Sequence, residues 1–123
     1  MTLQESGEMY LETILILSKK QNLVRSIDVC EYMGYSKPSI SRAMSLLRSG
    51  GFIIMDSDGY IALTESGRNI AEKIYERHTI ITKWLVGLGV DEKIAADDAC
   101  KIEHDISDVT FNALKSHVGG NEK

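Results

Sequence analysis

The order of local patterns between residues 26 and 63 constrains the fold of this chain most strongly. Two short helical patterns come first, separated by Gly34, and the second has Pro38 in its first turn, where the missing N–H of proline costs nothing. Two β-type runs, 52–55 and 60–63, follow and are joined by a loop that ends in an Asp-Gly pair. Because such a pair favours a tight hairpin, this segment predicts helix, turn, helix and β-hairpin in that order.

Helical periodicity continues on both sides of this segment. Apolar residues recur with helical spacing from about residue 5 to 20, and again from residue 64 to the glycines at 87 and 89. Further helices are predicted from about residue 91 to residue 105 and after residue 107. Residues able to cap these helices stand at the predicted starts: they are Ser26, Thr64, Asp91 and Ser107.

Two short helices around a Gly-containing turn, followed by a β-hairpin, are typical of a winged helix-turn-helix, whose second helix enters the major groove of DNA. In that helix the guanidinium of Arg42 is the best candidate for a base contact, since it can bond bidentately to guanine. Lys37 and Ser39 suit phosphate oxygens. The predicted DNA-binding residues are Ser36, Lys37, Pro38, Ser39, Ser41 and Arg42.

The charge distribution leaves room for other interpretations. The chain has a formal net charge of −4, and its hairpin loop, 56–59, is acidic, which disfavours a contact between this loop and phosphate. Isolated basic residues on a surface helix can also serve solvation alone. The order of the elements nevertheless favours DNA binding, and all three charged residues between positions 36 and 50 are basic: Lys37, Arg42 and Arg48.

The composition predicts an ordinary globular protein of the cytoplasm. Hydrophobic residues make up 43% of the chain and charged residues 26%, which is enough to build a core. The sequence has neither an apolar stretch long enough for a membrane span nor a signal-peptide pattern at its start. The two cysteines, Cys30 and Cys100, lie far apart, which disfavours a disulfide framework. Cys30 fits a small core position.

A second chemical pattern is the run Cys100-Lys101-Ile102-Glu103-His104. On a helix its thiol, carboxylate and imidazole share one face and can hold a transition-metal ion with a further donor from elsewhere. Met9 and Glu12 share a face of the first helix, and His78 lies on or beside the apolar stripe of the fourth. This mixture of soft and hard donors favours Fe(II), Co(II), Ni(II) or Zn(II) over Mg(II) or Ca(II).

Each donor also has a purely structural interpretation. Met9 fits the core, His78 a hydrogen-bonded core position, Cys100 a small hydrophobe, and Glu12 a solvated side chain. The cluster at residues 100–104 resists this interpretation, because burying three polar side chains without partners is costly.

Four segments of the chain together resemble the diphtheria toxin repressor family of metal-dependent bacterial transcription regulators, which also includes manganese transport regulators. They are residues 8–12, 36–41, 59–64 and 100–104. The resemblance runs from about Gly7 to Ser107. Its first and last segments are the specific ones, since many winged helices share the middle two.

The resemblance implies a metal site of the iron-responsive type. That branch uses Met9 and the cluster at 100–104, whereas the manganese-responsive branch has aspartate in place of Met9 and glutamate in place of Cys100. His78 matches a metal-binding histidine of both branches, and Glu12 is similar to a ligand of the manganese branch. The implied ligands are therefore Met9, Glu12, His78, Cys100, Glu103 and His104.

The resemblance also implies differences from the longer iron regulators. Their ancillary metal site needs a glutamate and a histidine where this chain has Thr82 and Ala96, so we expect that site to be absent or rebuilt. Their extra C-terminal domain is expected to be missing. We predict a mainly α architecture with a winged helix-turn-helix DNA-binding domain over residues 1–66 and a helical dimerisation and metal-binding domain over residues 67–123.

These observations predict a homodimeric, metal-dependent transcriptional repressor of metal-ion homeostasis genes, and not an enzyme. Fe(II) is the expected metal, with Mn(II), Co(II), Ni(II) and Zn(II) as alternatives. Double-stranded operator DNA is the expected partner, with no membrane and no small-molecule substrate. Three alternatives remain at this point: a winged-helix regulator with a structural or absent metal site, an adaptor that does not bind DNA, and a metalloenzyme. The sequence offers no clear general base or substrate cleft for the last.

Overall fold

The computed structural model describes residues 5–121, and the side chains of residues 6–119. Helices and strands follow in the order α1 (Glu5–Lys20), β1 (Val24–Arg25), α2 (Ser26–Met33), α3 (Lys37–Ser49), β2 (Ile53–Met55), β3 (Tyr60–Leu63), α4 (Glu65–Gly87), α5 (Glu92–Ile102) and α6 (Asp108–Asn121). The chain divides into two compact units, of which the first ends at Glu72 and the second begins at Lys73. Within the described part of the chain, no helix is long and apolar enough to cross a membrane.

Helices α2 and α3 form the predicted helix-turn-helix of the first unit. Gly34 ends α2 with φ of 72°, a left-handed conformation that glycine adopts without steric cost. Ser36 then caps α3, because its Oγ accepts a hydrogen bond from the Ser39 N–H at 3.3 Å. Pro38 stands in the first turn of α3 as expected.

The wing is a three-stranded antiparallel sheet in the order β1-β3-β2. The sequence predicts the β2–β3 hairpin but not β1, whose two residues are too few for a periodic pattern; Val24 pairs with Ile61. At the hairpin loop the Asp56 carboxylate accepts hydrogen bonds from the N–H groups of Asp58 and Tyr60, both at 2.9 Å. The acidic residue therefore builds the turn itself.

The core of the first unit lies between α1, α2, α3 and the sheet. Its fully buried side chains include Leu11, Ile14, Val29, Ile40, Met44 and Ile53. The start of α4 packs tightly on the base of the hairpin, since a Cβ added at Gly67 would lie 2.0 Å from the carbonyl oxygen of Phe52. Because α3 buries Ile40, Met44 and Leu47, its opposite face points outward.

Local capping explains most helix ends, with two corrections to the sequence predictions. Helix α2 is capped by Arg25 and not by Ser26, because Asp28 accepts the backbone N–H of Arg25 at 2.8 Å. Helix α5 ends at Ile102 and not near Asp105. The other predicted caps, Thr64, Asp91 and Ser107, each accept an N–H of their own helix.

Candidate metal centre and nucleic-acid interface

In the second unit, α4 and the end of α5 bring three potential metal ligands together. The Nδ1 of His78 lies 3.0 Å from the Glu103 Oε2 and 3.7 Å from the Cys100 Sγ. One donor atom from each of the three residues lies within 4.8 Å of the other two. We call His78, Cys100 and Glu103 the donor group. Imidazole, thiol and carboxylate at this separation match the donor types of a transition-metal site.

The carboxylate of Glu103 is the buried centre of this arrangement. Glu103 is 0% exposed, and its second oxygen, Oε1, lies 3.4 Å from the Nε2 of His104. Among the described residues, no group donates a hydrogen bond to Oε1. A buried carboxylate oxygen without a donor is costly in a folded protein, and a bound cation would satisfy it. The residues present therefore fit a metal ion.

Electrostatics within the donor group favour a positive charge. Hydrogen bonds to the Cys100 sulfur and the Glu103 carboxylate raise the pKa of His78 to about 10, from an ordinary value of 6.5. At neutral pH the imidazole ring is therefore protonated and donates to the carboxylate. A proton occupies the position at which His78 could bind a metal, so metal binding there must displace it.

Arg77, at the preceding position of α4, bonds to the backbone beside the donor group, and these contacts were not predicted from the sequence. Its guanidinium donates to the carbonyl oxygens of Glu103, at 3.0 Å, and Ile106, at 2.7 Å. These bonds hold the turn that follows the end of α5 at Ile102. The sequence did contain an indication that Arg77 is buried. It follows Ile74 by three positions and precedes Ile81 by four, so it lies on the same buried face of α4.

The remaining predicted ligands lie in the turn after α5 and on α1. His104 is not part of the donor group among the described residues, but its side chain is 1% exposed and adjoins Glu103. Met9 is half-buried on α1. Glu12 is buried, at 8% exposed, so its interpretation as a solvated side chain is wrong.

Two further residues behave as structural rather than ligating groups. The Thr82 hydroxyl donates to the carbonyl oxygen of His78 within α4, at 2.7 Å. The Cys30 thiol is half-buried and donates to the carbonyl oxygen of Tyr35 at 2.8 Å. Neither belongs to the donor group. Cys30 is half-buried and does not lie in the core, where it was predicted.

Helix α3 presents most of the predicted DNA-binding residues to solvent. Ser36, Lys37, Pro38, Ser41 and Arg42 are exposed, whereas Ser39 is half-buried and its Oγ accepts a hydrogen bond from the Ser36 hydroxyl. The same outward face continues into the next turn of the helix. An exposed row of hydroxyls with a guanidinium suits the edges of bases and phosphates in a groove.

Comparisons with known proteins agree with this two-part layout. Residues 2–61 match the N-terminal DNA binding domain of iron dependent repressors, and residues 64–123 match the iron dependent repressor metal binding and dimerisation domain. The transcriptional regulator MntR of Escherichia coli is 32% identical over 106 residues, which cover 86% of this chain and 68% of that protein. An uncharacterized HTH-type transcriptional regulator of Methanocaldococcus jannaschii is also 32% identical, over 92% of each chain.

A solved structure with the same fold is that of a manganese-dependent transcriptional repressor in complex with manganese. It superposes with a TM-score of 0.84 at 27% sequence identity, and the match covers 92% of this chain. The match covers 52% of the other chain. This chain thus spans about half the length of that repressor.

Proposed function

The chain belongs to the iron-dependent repressor family, and we propose that it is a metal-dependent DNA-binding repressor of transcription that controls metal-ion homeostasis genes in the cytoplasm. The observation that carries this proposal is the donor group of the second unit, found in the same chain as a winged helix with an exposed second helix. A DNA-binding protein that does not respond to metal would not need the donor group. A metalloenzyme would not need the exposed second helix of a winged helix.

The proposed ligands are the donor group together with His104, Met9 and Glu12. The buried carboxylate of Glu103 and its adjacent imidazoles support the part contributed by the second unit. Met9 and Glu12 are included on the strength of their spacing on α1 and the resemblance of residues 8–12 to the family. When bound, the ion supplies a positive charge shared by donors from separate segments of the chain.

Fe(II) is the metal that we propose for the cell. The set combines a thiol and a thioether with imidazoles and carboxylates, and soft sulfur ligands disfavour the hard cations Mg(II) and Ca(II). Cys100 stands where the manganese-responsive branch has a glutamate, which favours iron over manganese. Co(II), Ni(II) and Zn(II) accept the same donor types and serve as probes.

We propose that the repressor acts as a homodimer on double-stranded operator DNA. The second unit exposes large apolar side chains, among them Leu88 at 65%, Ile94 at 55% and Val109 at 81%. Exposed apolar patches on soluble proteins often mark interaction surfaces. A two-fold dimer would present two copies of α3 to the two halves of a palindromic site, with Arg42 making the principal base contact.

The proposed switch rests on a difference in metal affinity between two states of the chain. An ion that binds more tightly to the state that matches the operator shifts the population toward that state. The shift can be no larger than the difference in metal affinity between the two states.

The test is DNA binding measured against metal under anaerobic conditions. A duplex is first selected from a randomised library with the Co(II)-loaded full chain, and its affinity is then followed with Fe(II), Co(II), Mn(II) or chelator. We expect Fe(II) and Co(II) to tighten binding, and Cys100→Ala or His104→Ala to abolish that effect. Cys30→Ala is the matched control, since the Cys30 thiol bonds to a backbone carbonyl outside the donor group, and it should respond like the wild type.

DNA affinity that no divalent ion changes would exclude metal activation and leave a winged-helix regulator with a structural or absent metal site. A chain that fails to enrich any duplex, or whose DNA affinity does not depend on salt, would exclude the DNA-binding role itself.

A further inference from the structure

Arg77 is a charged side chain that the proposed function does not use, yet it is almost completely buried. It is 4% exposed and lies on α4 directly before His78. Its Nη1 donates to the carbonyl oxygens of Glu103 and Ile106, and its Nη2 donates to the Asp108 Oδ1 at 2.5 Å. Burying a guanidinium is expensive unless such partners repay the lost hydration. Three acceptors on one six-residue segment indicate a specific task for this side chain.

The segment held by Arg77 begins at the buried ligand Glu103. Glu103 directly follows α5 as its C-terminal cap, and its N–H makes the last bond of the helix, to the carbonyl oxygen of Ala99 at 2.9 Å. The last carbonyl groups of a helix have no partner within the helix. Arg77 supplies the missing donor for the Glu103 carbonyl. It therefore holds the backbone of Glu103 in place, where no further helical turn follows.

Two consecutive residues of α4 thus hold Glu103 at its two ends. Arg77 bonds to its main-chain carbonyl, and His78 bonds to its carboxylate. Neighbouring side chains on a helix diverge by about 100°, so the two contacts approach from different directions. The position of the carboxylate relative to His78 then depends on both.

Resting on the proposed function, we propose that Arg77 is a positioning residue for the metal centre. Its guanidinium fixes the backbone of Glu103 so that the carboxylate faces His78 and Cys100, and the Asp108 contact ties the same segment to the first turn of α6. Lys73 strengthens the α6 end of this connection, since its Nζ lies 3.0 Å from the Asp108 Oδ1. Arg77 itself touches no metal ion.

A lysine cannot perform this role, which makes Arg77→Lys the informative substitution. The planar guanidinium presents five donors in a fixed fork, whereas an ammonium is a compact point charge on a flexible stem. Lysine keeps the positive charge near Asp108 but cannot serve both carbonyl groups and the carboxylate in the same geometry. A change in metal affinity would therefore report on positioning and not on charge.

The chain offers a matched control in the ion pair next to Arg77. Glu76 immediately precedes it on α4, and the Lys115 Nζ of α6 lies 3.0 Å from the Glu76 Oε2. Lys115→Ala removes a contact between the same two helices without touching the Glu103 segment. Both side chains of this pair are about half exposed, so its loss should cost little.

The experiment is an anaerobic Co(II) titration of the full-length chain in competition with a chelator, followed by the absorption of the Co(II)–thiolate bond. Thermal unfolding of the metal-free proteins is measured beside it. We expect Arg77→Lys to raise the Kd for Co(II) about 10- to 100-fold, as for other residues that orient ligands. The Lys115→Ala value should stay within about threefold of wild type, and the Co(II)–thiolate absorption should change only in Arg77→Lys.

Arg77→Lys that unfolds earlier but binds Co(II) like the wild type would overturn the proposal, because Arg77 would then serve folding alone. Should this variant not fold, Asp108→Asn takes its place, since it keeps both carbonyl contacts of Arg77 and weakens the third. A smaller loss of Co(II) affinity would support the proposal, and an unchanged affinity would overturn it. A wild-type chain that binds no Co(II) would overturn the proposed metal site and the role of Arg77 with it.

Discussion

The surface that is proposed to bind DNA and the donor group are built in opposite ways. The first uses residues 36–42, seven consecutive positions at the start of one helix, most of them exposed. The second joins His78 to Cys100 and Glu103, which lie 22 and 25 positions further along the chain. Its carboxylate is completely buried. The first unit thus separates its proposed functional face from its core, whereas the proposed site of the second unit includes one residue of the core, Glu103, beside the exposed Cys100.

This difference has a thermodynamic consequence. Substitutions on the exposed face of α3 should change binding and leave folding alone, because few contacts within the chain depend on them. Substitutions around Glu103 should change both, since the buried carboxylate and its donors contribute to stability as well as to metal affinity. Stability of the first unit should depend on its core and on the junction between hairpin and α4.

The largest effect is expected at the junction between the hairpin and the start of α4, whose contribution to stability can be tested by one substitution. Gly67→Ala places a Cβ 2.0 Å from the Phe52 carbonyl oxygen, so backbone must move, and we expect a loss of about 3 kcal/mol or more in the free energy of unfolding. Denaturant unfolding of the metal-free chain measures it. Gly87→Ala is the control, because a Cβ there meets open space and should be tolerated. A Gly67→Ala chain as stable as the wild type would contradict the tight junction.

A smaller effect should appear on the exposed face, in binding only. Arg42→Ala should weaken binding to the selected duplex by about 1–3 kcal/mol and relax its preference at one base pair. Its unfolding free energy should stay within about 0.5 kcal/mol of wild type. Fluorescence anisotropy with duplexes that differ at single base pairs separates these results.

Arg48→Ala is the matched control for this substitution, since Arg48 is an exposed arginine in the last turn of the same helix. Its loss should weaken binding to all duplexes alike, without a change in preference. If both variants lost the base-pair preference equally, the preference would depend on the positive charge of the helix and not on the position of Arg42.

The smallest expected effect is a pH dependence that belongs to the second unit. The pKa of His78 is raised to about 10 in the folded chain, above its ordinary value of 6.5. Its stabilising contribution is therefore complete below about pH 6.5 and is lost as the pH rises towards about 10. Denaturant midpoints of the metal-free chain should fall across that range. His78→Gln should flatten this dependence, and a parallel fall in His78→Gln would assign the effect to another group.

The features that could be predicted best from the sequence are those determined by neighbouring residues. Thr64 and Asp91 cap their helices as expected, because a cap is a contact between residues two or three positions apart. The hairpin loop follows from its own Asp and Gly residues. Strand β1 was missed because its two residues gain their pairing from β3, more than thirty positions away. The end of α5 was misplaced, and the turn that follows it is bonded to Arg77, a residue of another helix that no spacing within α5 could reveal.

The donor group shows the same limit. Helical spacing indicated that Cys100 and Glu103 lie close together, and both belong to the group. The pattern of α4 placed His78 near the inward stripe but could not say which residue it meets. Its contact with Glu103 depends on how α4 and α5 lie against each other, and that arrangement is not encoded in any local pattern.

The proton on His78 also sets up a competition at the proposed site. In the metal-free chain the raised pKa of His78, about 10, keeps the imidazole protonated at neutral pH. An ion that binds this ring nitrogen must release the proton to solvent, so its apparent affinity should rise with pH and fall as the medium becomes acidic. The metal concentration at which the chain responds would then depend on the acidity of its surroundings as well as on the supply of metal.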